Sequence, residues 1–177
     1  MTDDQKVAVL SYLRSHGKKF DIHEFWGKWL IIRTSRTFWQ RRLNPSVTYT
    51  TLEPGVQTKL LEIVHYGAFA KTQTQVIGID TQDKAIPNLF HWRGRSGLTW
   101  LMTGQWVVLD HDLPRKAWAV VYFFATPFAP AGIDIYARQL DLPVQQLDEI
   151  VRRLQAHAFW AADASALFAP THEKPRL

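Results

Sequence analysis

From Gly27 to Arg138 apolar and β-branched residues recur with a period of two, and nothing in that span carries the 3.6-residue period of a helix. Extended segments without helical crossovers can pair only in antiparallel fashion, because parallel neighbours need a connection of a dozen or more residues. The expected segments are 28–37, 47–52, 58–66, 72–80, 89–93, a short one at 98–102, 105–109, 117–124 and 133–138. Turn signals separate them, among them Asn44-Pro45-Ser46, Glu53-Pro54-Gly55, Ile86-Pro87-Asn88, Gly94-Arg95-Ser96-Gly97 and Asp110-His111-Asp112-Leu113-Pro114. About eight strands in this order close an up-and-down barrel wide enough for one small ligand. A two-sheet sandwich is the rival architecture.

Helical periods flank this all-β span. Val7, Leu10 and Leu13, with Val9 beside them, give residues 3–16 an apolar face; Thr2 or Asp3 can cap it and Gly17 can end it. Near the other end Pro143 suits the first turn of a helix, Asp141 is the expected cap, and Leu147, Ile150, Val151 and Leu154 form the stripe. A chain of 177 residues suits one domain. It divides into an N-terminal helical extension (1–19), the barrel with its C-terminal helix packed outside (20–160) and a tail (161–177). The residues from Thr171 to Leu177 are expected to fray.

The absence of cysteine removes disulfides, thiolate metal sites and a cysteine nucleophile together. The seven histidines show no His-x-x-x-His spacing, and Asp110-His111-Asp112 falls in a turn where aspartates serve local hydrogen bonds. No phosphate-binding loop, dinucleotide fingerprint or Gly-x-Ser-x-Gly occurs, so neither metal nor cofactor is expected. No apolar run approaches the about 18 residues of a membrane span, and the acidic start is unlike a signal peptide, so the expected compartment is the cytoplasm. The net charge of +5 is too mild to indicate nucleic acid. Aromatic content is the outlying figure, with eight Trp, ten Phe and five Tyr.

The segment Phe20-Asp21-Ile22-His23-Glu24-Phe25-Trp26-Gly27-Lys28-Trp29 has a short turn before Gly-x-Trp at the start of the first strand. The last strand ends in Ile135-Tyr136-Ala137-Arg138, and a helix follows. This joint pattern resembles the lipocalins of the calycin superfamily over roughly residues 20–157. The resemblance implies an eight-stranded antiparallel barrel closed at one end by Trp29 and Arg138, with Gly27 at the turn. It also implies a hollow for a small molecule at the other end. The loop 38–46 is too short for the helix pair of the fatty-acid-binding branch.

Alternation along strands then selects an interior. If Trp29 points inward, so do Ile31 and Arg33; if Arg138 does, so do Tyr136 and Asp134. A buried Arg33 needs a partner, either Asp134, Glu62 or a ligand carboxylate, unless it reaches water at the rim. In the third strand Glu62 and Tyr66 share one face and His65 lies on the other; the pattern leaves open which is inside. Tyr122 stands in an apolar strand of which one face meets the cavity. His91 and Arg93 flank Trp92 and can hold an anionic group, unless Trp92 is the inward residue. The expected ligand set is therefore Arg33, Glu62, His65, Tyr66, His91, Arg93, Tyr122, Asp134 and Tyr136.

The expected function is binding of a small hydrophobic or aromatic molecule, with an acidic group accommodated by the basic residues. A cofactor-independent isomerase, cyclase or hydratase is the alternative in the same cavity, with a buried carboxyl, Tyr or His as proton carrier. Single-stranded nucleic acid is a weaker third reading. Association of barrels through an exposed Trp is left open.

Overall fold

The computed structural model describes residues 3–53, 56–67, 73–95, 97–115 and 117–173. Eight strands form a closed antiparallel barrel, each paired with its sequence neighbour and the first with the last: β1 (Gly27–Thr34), β2 (Leu43–Glu53), β3 (Val56–Gly67), β4 (Gln73–Gln82), β5 (Leu89–Gly94), β6 (Thr103–His111), β7 (Trp118–Phe123) and β8 (Gly132–Ala137). The expected short strand at 98–102 is instead a 3-10 helix, Gly97–Leu101. Thr2, Pro54, Gly55, Thr72, Ser96 and residues 174–177, to which turns, caps or ends were assigned, lie outside the described residues.

Helix α1 (Asp3–His16) is followed by the short α2 (Ile22–Phe25), which Asp21 caps by accepting from the His23 N–H at 2.9 Å. Of the predicted α1 face, Leu13 is buried, but Val9 takes the place of Val7, which is 66% exposed. Helix α3 (Val144–Gln155) buries Leu147, Ile150 and Leu154 as expected; its N-cap is Pro143 and no side chain caps it, so Asp141 does not serve. A further helix, α4 (Ala161–Ser165), follows the buried Trp160.

Two apolar cores result. One joins α1, α3 and α4 to the outer face of β6–β8, through Val9, Leu13, Val120, Tyr122, Ile150 and Trp160 among others. The other fills the lower barrel. The tail is not frayed over its described length. Phe168 exchanges backbone hydrogen bonds with Thr34 at 2.9 and 2.8 Å, and the Asn44 N–H donates to Thr171 O at 2.9 Å. Asn44 adopts a φ of +52°, a left-handed conformation that Asn tolerates better than most residues. Its side chain accepts from the Glu173 N–H at 2.7 Å.

The register between β1 and β8 slips by one residue. Ile31 faces Tyr136, Arg33 faces Ile135 and Thr34 faces Asp134, so Ile32 is the extra residue of a β-bulge. A bulge resets alternation. Ile32 and Arg33 both turn outward and Thr34 turns in, which corrects the inward placement expected of Arg33.

Candidate functional site: the upper barrel cavity

The closed end is built from Trp29 and Arg138. Gly27, at φ +99°, occupies backbone space that favours glycine, and a Cβ there would lie 3.2 Å from Arg138 Nη1. The guanidinium carbon sits 3.4 Å from the Trp29 ring centroid, a cation–π stack. Arg138 Nη1 donates to Lys28 O at 2.8 Å and Nη2 to Trp26 O at 2.6 Å, while the Trp29 indole donates to Phe25 O at 2.8 Å. Burial brings the Arg138 pKa down to about 10. Above this floor aromatic rings fill the barrel: Phe90 stacks on Trp106 at 4.3 Å, and Phe25 and Tyr49 pack against Trp106 at 5.8 and 5.4 Å.

A polar layer crosses the middle of the barrel. Asp134, fully buried, accepts from the Thr34 hydroxyl at 2.6 Å, the Trp39 indole at 3.3 Å and Arg36 Nη1 at 3.3 Å. Burial pushes its carboxyl pKa up, against the pull of Arg36. Arg36 lies 4.0 Å over the Phe123 ring and is the cation paired with Asp134, the role expected of Arg33. Tyr49 and Tyr136 bring their hydroxyls to 3.5 Å, and burial raises both pKa values well above the ordinary phenol.

The second carboxyl group is Glu62 with Asp80. Asp80 is fully buried and accepts from the Trp106 indole at 2.6 Å; Glu62 is 6% exposed. Among the described residues no donor reaches Glu62 Oε2 or Asp80 Oδ2. The two carboxyls neighbour each other and can hydrogen-bond only through a proton. Burial lifts Glu62 from 4.5 to about 7, and burial and the neighbouring Glu62 raise Asp80 well above its usual range.

Over this layer opens a cavity of about 360 Å³, walled chiefly by Trp39, Val64, Tyr66, Trp92, Trp106 and Phe123, with Arg36, Glu62, Asp134 and Tyr136 also reaching it. Its mouth is framed by the 3-10 turn Thr37–Trp39, the helix Gly97–Leu101 and the loop 126–130. Trp39 folds inward to 3% exposure, so this loop is a partial lid; Arg42 stacks over Phe38 at the rim, with Arg41 exposed.

The predicted ligand residues divide accordingly. Glu62, Tyr66, Asp134 and Tyr136 reach the cavity. Arg33 is turned out by the bulge and donates to Ile32 O at 2.8 Å. His65 lies on the outer face of β3, 3.0 Å from Gln75 Nε2. His91 and Arg93 are exposed because Trp92 takes the inward position; His91 pairs with Asp83 at 3.1 Å. Tyr122 faces the helices, 5.0 Å from Trp160, and burial raises its pKa to about 12. Sequence reasoning missed Arg36, Thr34, Tyr49 and Asp80 as residues of the site. For Asp80 the signal was present, an acidic residue in step with Val76 and Gly78 in a strand; for Arg36 alternation from Trp29 along the expected segment 28–37 pointed outward, whereas β1 ends at Thr34 and releases it.

No group of three or more His, Asp or Glu able to hold a metal occurs among the described residues, and no described helix is long and apolar enough to cross a membrane. Asp110 lies in β6 rather than in the expected turn, which begins only after His111; it holds Lys18, two residues past α1, at 2.5 Å and Arg153 of α3 at 3.1 Å.

No protein-family model and no curated protein matches the sequence. Solved structures do match the fold. Apocrustacyanin C1 superposes with a TM-score of 0.68 at 11% identity, over 93% of this chain and 86% of that one. Lobster apocrustacyanin A1 gives 0.64 at 10% identity over 98% and 88%. H1 crustacyanin from the lobster Homarus americanus gives 0.63 at 10% identity over 98% and 87%.

Proposed function

We propose that this chain, a lipocalin-like barrel by its fold, binds a small hydrophobic or aromatic molecule in the upper cavity. The observation that carries the reading is the division of the barrel into a solid aromatic lower half and an open, aromatic-walled space of about 360 Å³. Transfer of apolar surface into such a space supplies most of the affinity, at roughly 25 cal/mol per Å² before the costs of association. An acidic ligand group loses the partners first expected for it. Arg33, His91 and Arg93 lie outside, and Arg36 is already paired with Asp134. The alternative of a cofactor-independent isomerase, cyclase or hydratase finds no support among the structural neighbours.

The reading is tested with N-phenyl-1-naphthylamine, an uncharged apolar fluorophore. Its emission is expected to rise on titration into the protein. Val64→Phe, which fills the cavity wall, is expected to weaken binding at least tenfold while leaving Tm within a few degrees. Equal binding to Val64→Phe places the probe elsewhere and overturns the proposal.

A further inference from the structure

Two buried polar atoms of opposite character converge on one side of the cavity. Gly78 pairs with Glu62 across β3–β4. Trp92, one strand further, lays its indole over Gly78 so closely that a Cβ there would sit 2.0 Å from Trp92 Nε1. Directly opposed Cβ atoms in an antiparallel pair are about 5 Å apart, so the indole N–H lies over the strand position opposite Glu62, with no direct hydrogen bond between the two. Yet among the described residues Trp92 Nε1 has no acceptor, and Glu62 Oε2 has no donor beyond the proton it can share with Asp80, which leaves it a lone pair to accept with. Leaving buried donors and acceptors unsatisfied is costly, and native interiors seldom do so without a partner to come. Both residues line the cavity.

A hydroxyl group is the simplest chemistry that answers both atoms, because it donates one hydrogen bond and accepts others. We infer that the ligand is a hydroxylated apolar molecule, a phenol or a lipophilic alcohol, whose hydroxyl donates to Glu62 and accepts from the Trp92 indole while its body lies against Trp39, Tyr66 and Phe123. This rests on the cavity-binding reading above and names the ligand class. An ammonium offers nothing for the indole to donate to. A carboxylate would confront Glu62 and Asp134 with Arg36 already paired.

The test is calorimetric titration of the full chain with 4-propylphenol, propylbenzene and 4-propylbenzoate. The phenol is expected to bind at least tenfold tighter than propylbenzene, and the benzoate more weakly than the phenol. Trp92→Phe and Glu62→Met are each expected to cut the preference for the phenol over propylbenzene to threefold or less. A cooperative thermal transition certifies that each variant is folded, and either variant suffices alone. Equal binding of phenol and propylbenzene, a preference that survives both variants, or tightest binding of the benzoate overturns the inference and leaves the cavity reading standing. Binding of none of the three overturns both.

Discussion

Burial raises the pKa of every carboxyl in the polar layer, Glu62, Asp80 and Asp134. Glu62 is held near pKa 7 by burial, against 4.5 in the unfolded chain, so the folded protein binds the Glu62 proton more tightly. Its contribution is complete below the unfolded value and is lost as pH rises through the folded one. Stability should therefore fall by on the order of 3 kcal/mol between pH 4.5 and 8 from this group. Urea denaturation across that range checks it, and Glu62→Gln should flatten the slope; an unchanged slope in the variant assigns the proton elsewhere. At Asp134 three converging donors oppose the upward push of burial. Asp134→Asn keeps the shape but leaves Arg36 without its counter-charge. A loss of about 3 kcal/mol is expected by chemical denaturation, since removing one partner of a buried pair strands the other.

At the scale of elements, the C-terminal segment acts as an outer strap on β1 and β2. Its ties are backbone hydrogen bonds, Phe168 with Thr34 and the Asn44 N–H to Thr171 O, and one side-chain contact, His172 Nε2 at 2.8 Å from Ile31 O. A chain ending at Leu167 should exchange the Thr34 and Asn44 amide hydrogens at least tenfold faster, with the Leu30 amide in mid-strand unaffected; protected Thr34 and Asn44 in the truncated chain would mean that the strap does no holding. The outer helices are a separate matter. Ile150 is 1% exposed in the core between α3 and the barrel. Ile150→Ala should cost about 2–5 kcal/mol through the cavity it leaves. It should not change probe affinity more than twofold, because α3 covers the outside of the wall. A large affinity change would show that the wall yields to its cover.

For the whole molecule, strand number, antiparallel order, flanking helices and the Trp29–Arg138 floor were legible in the sequence. Period-two patterning, turn residues and a helical stripe are local properties, and each survives being read in isolation. The interior was legible only in part. Glu62, Tyr66, Asp134 and Tyr136 reach the cavity because alternation within β3 and β8 is unbroken. Arg33 failed because the bulge at Ile32 reverses parity, and that bulge is defined by pairing with β8, some hundred residues away in the chain. His91 and Arg93 failed because a strand has two faces and Trp92 gains more from burial than they do. The sequence by itself determined that the chain closes into a barrel and what stoppers one end. The tertiary structure decided which charges meet inside it, because those meetings depend on register between distant strands, which no local pattern encodes.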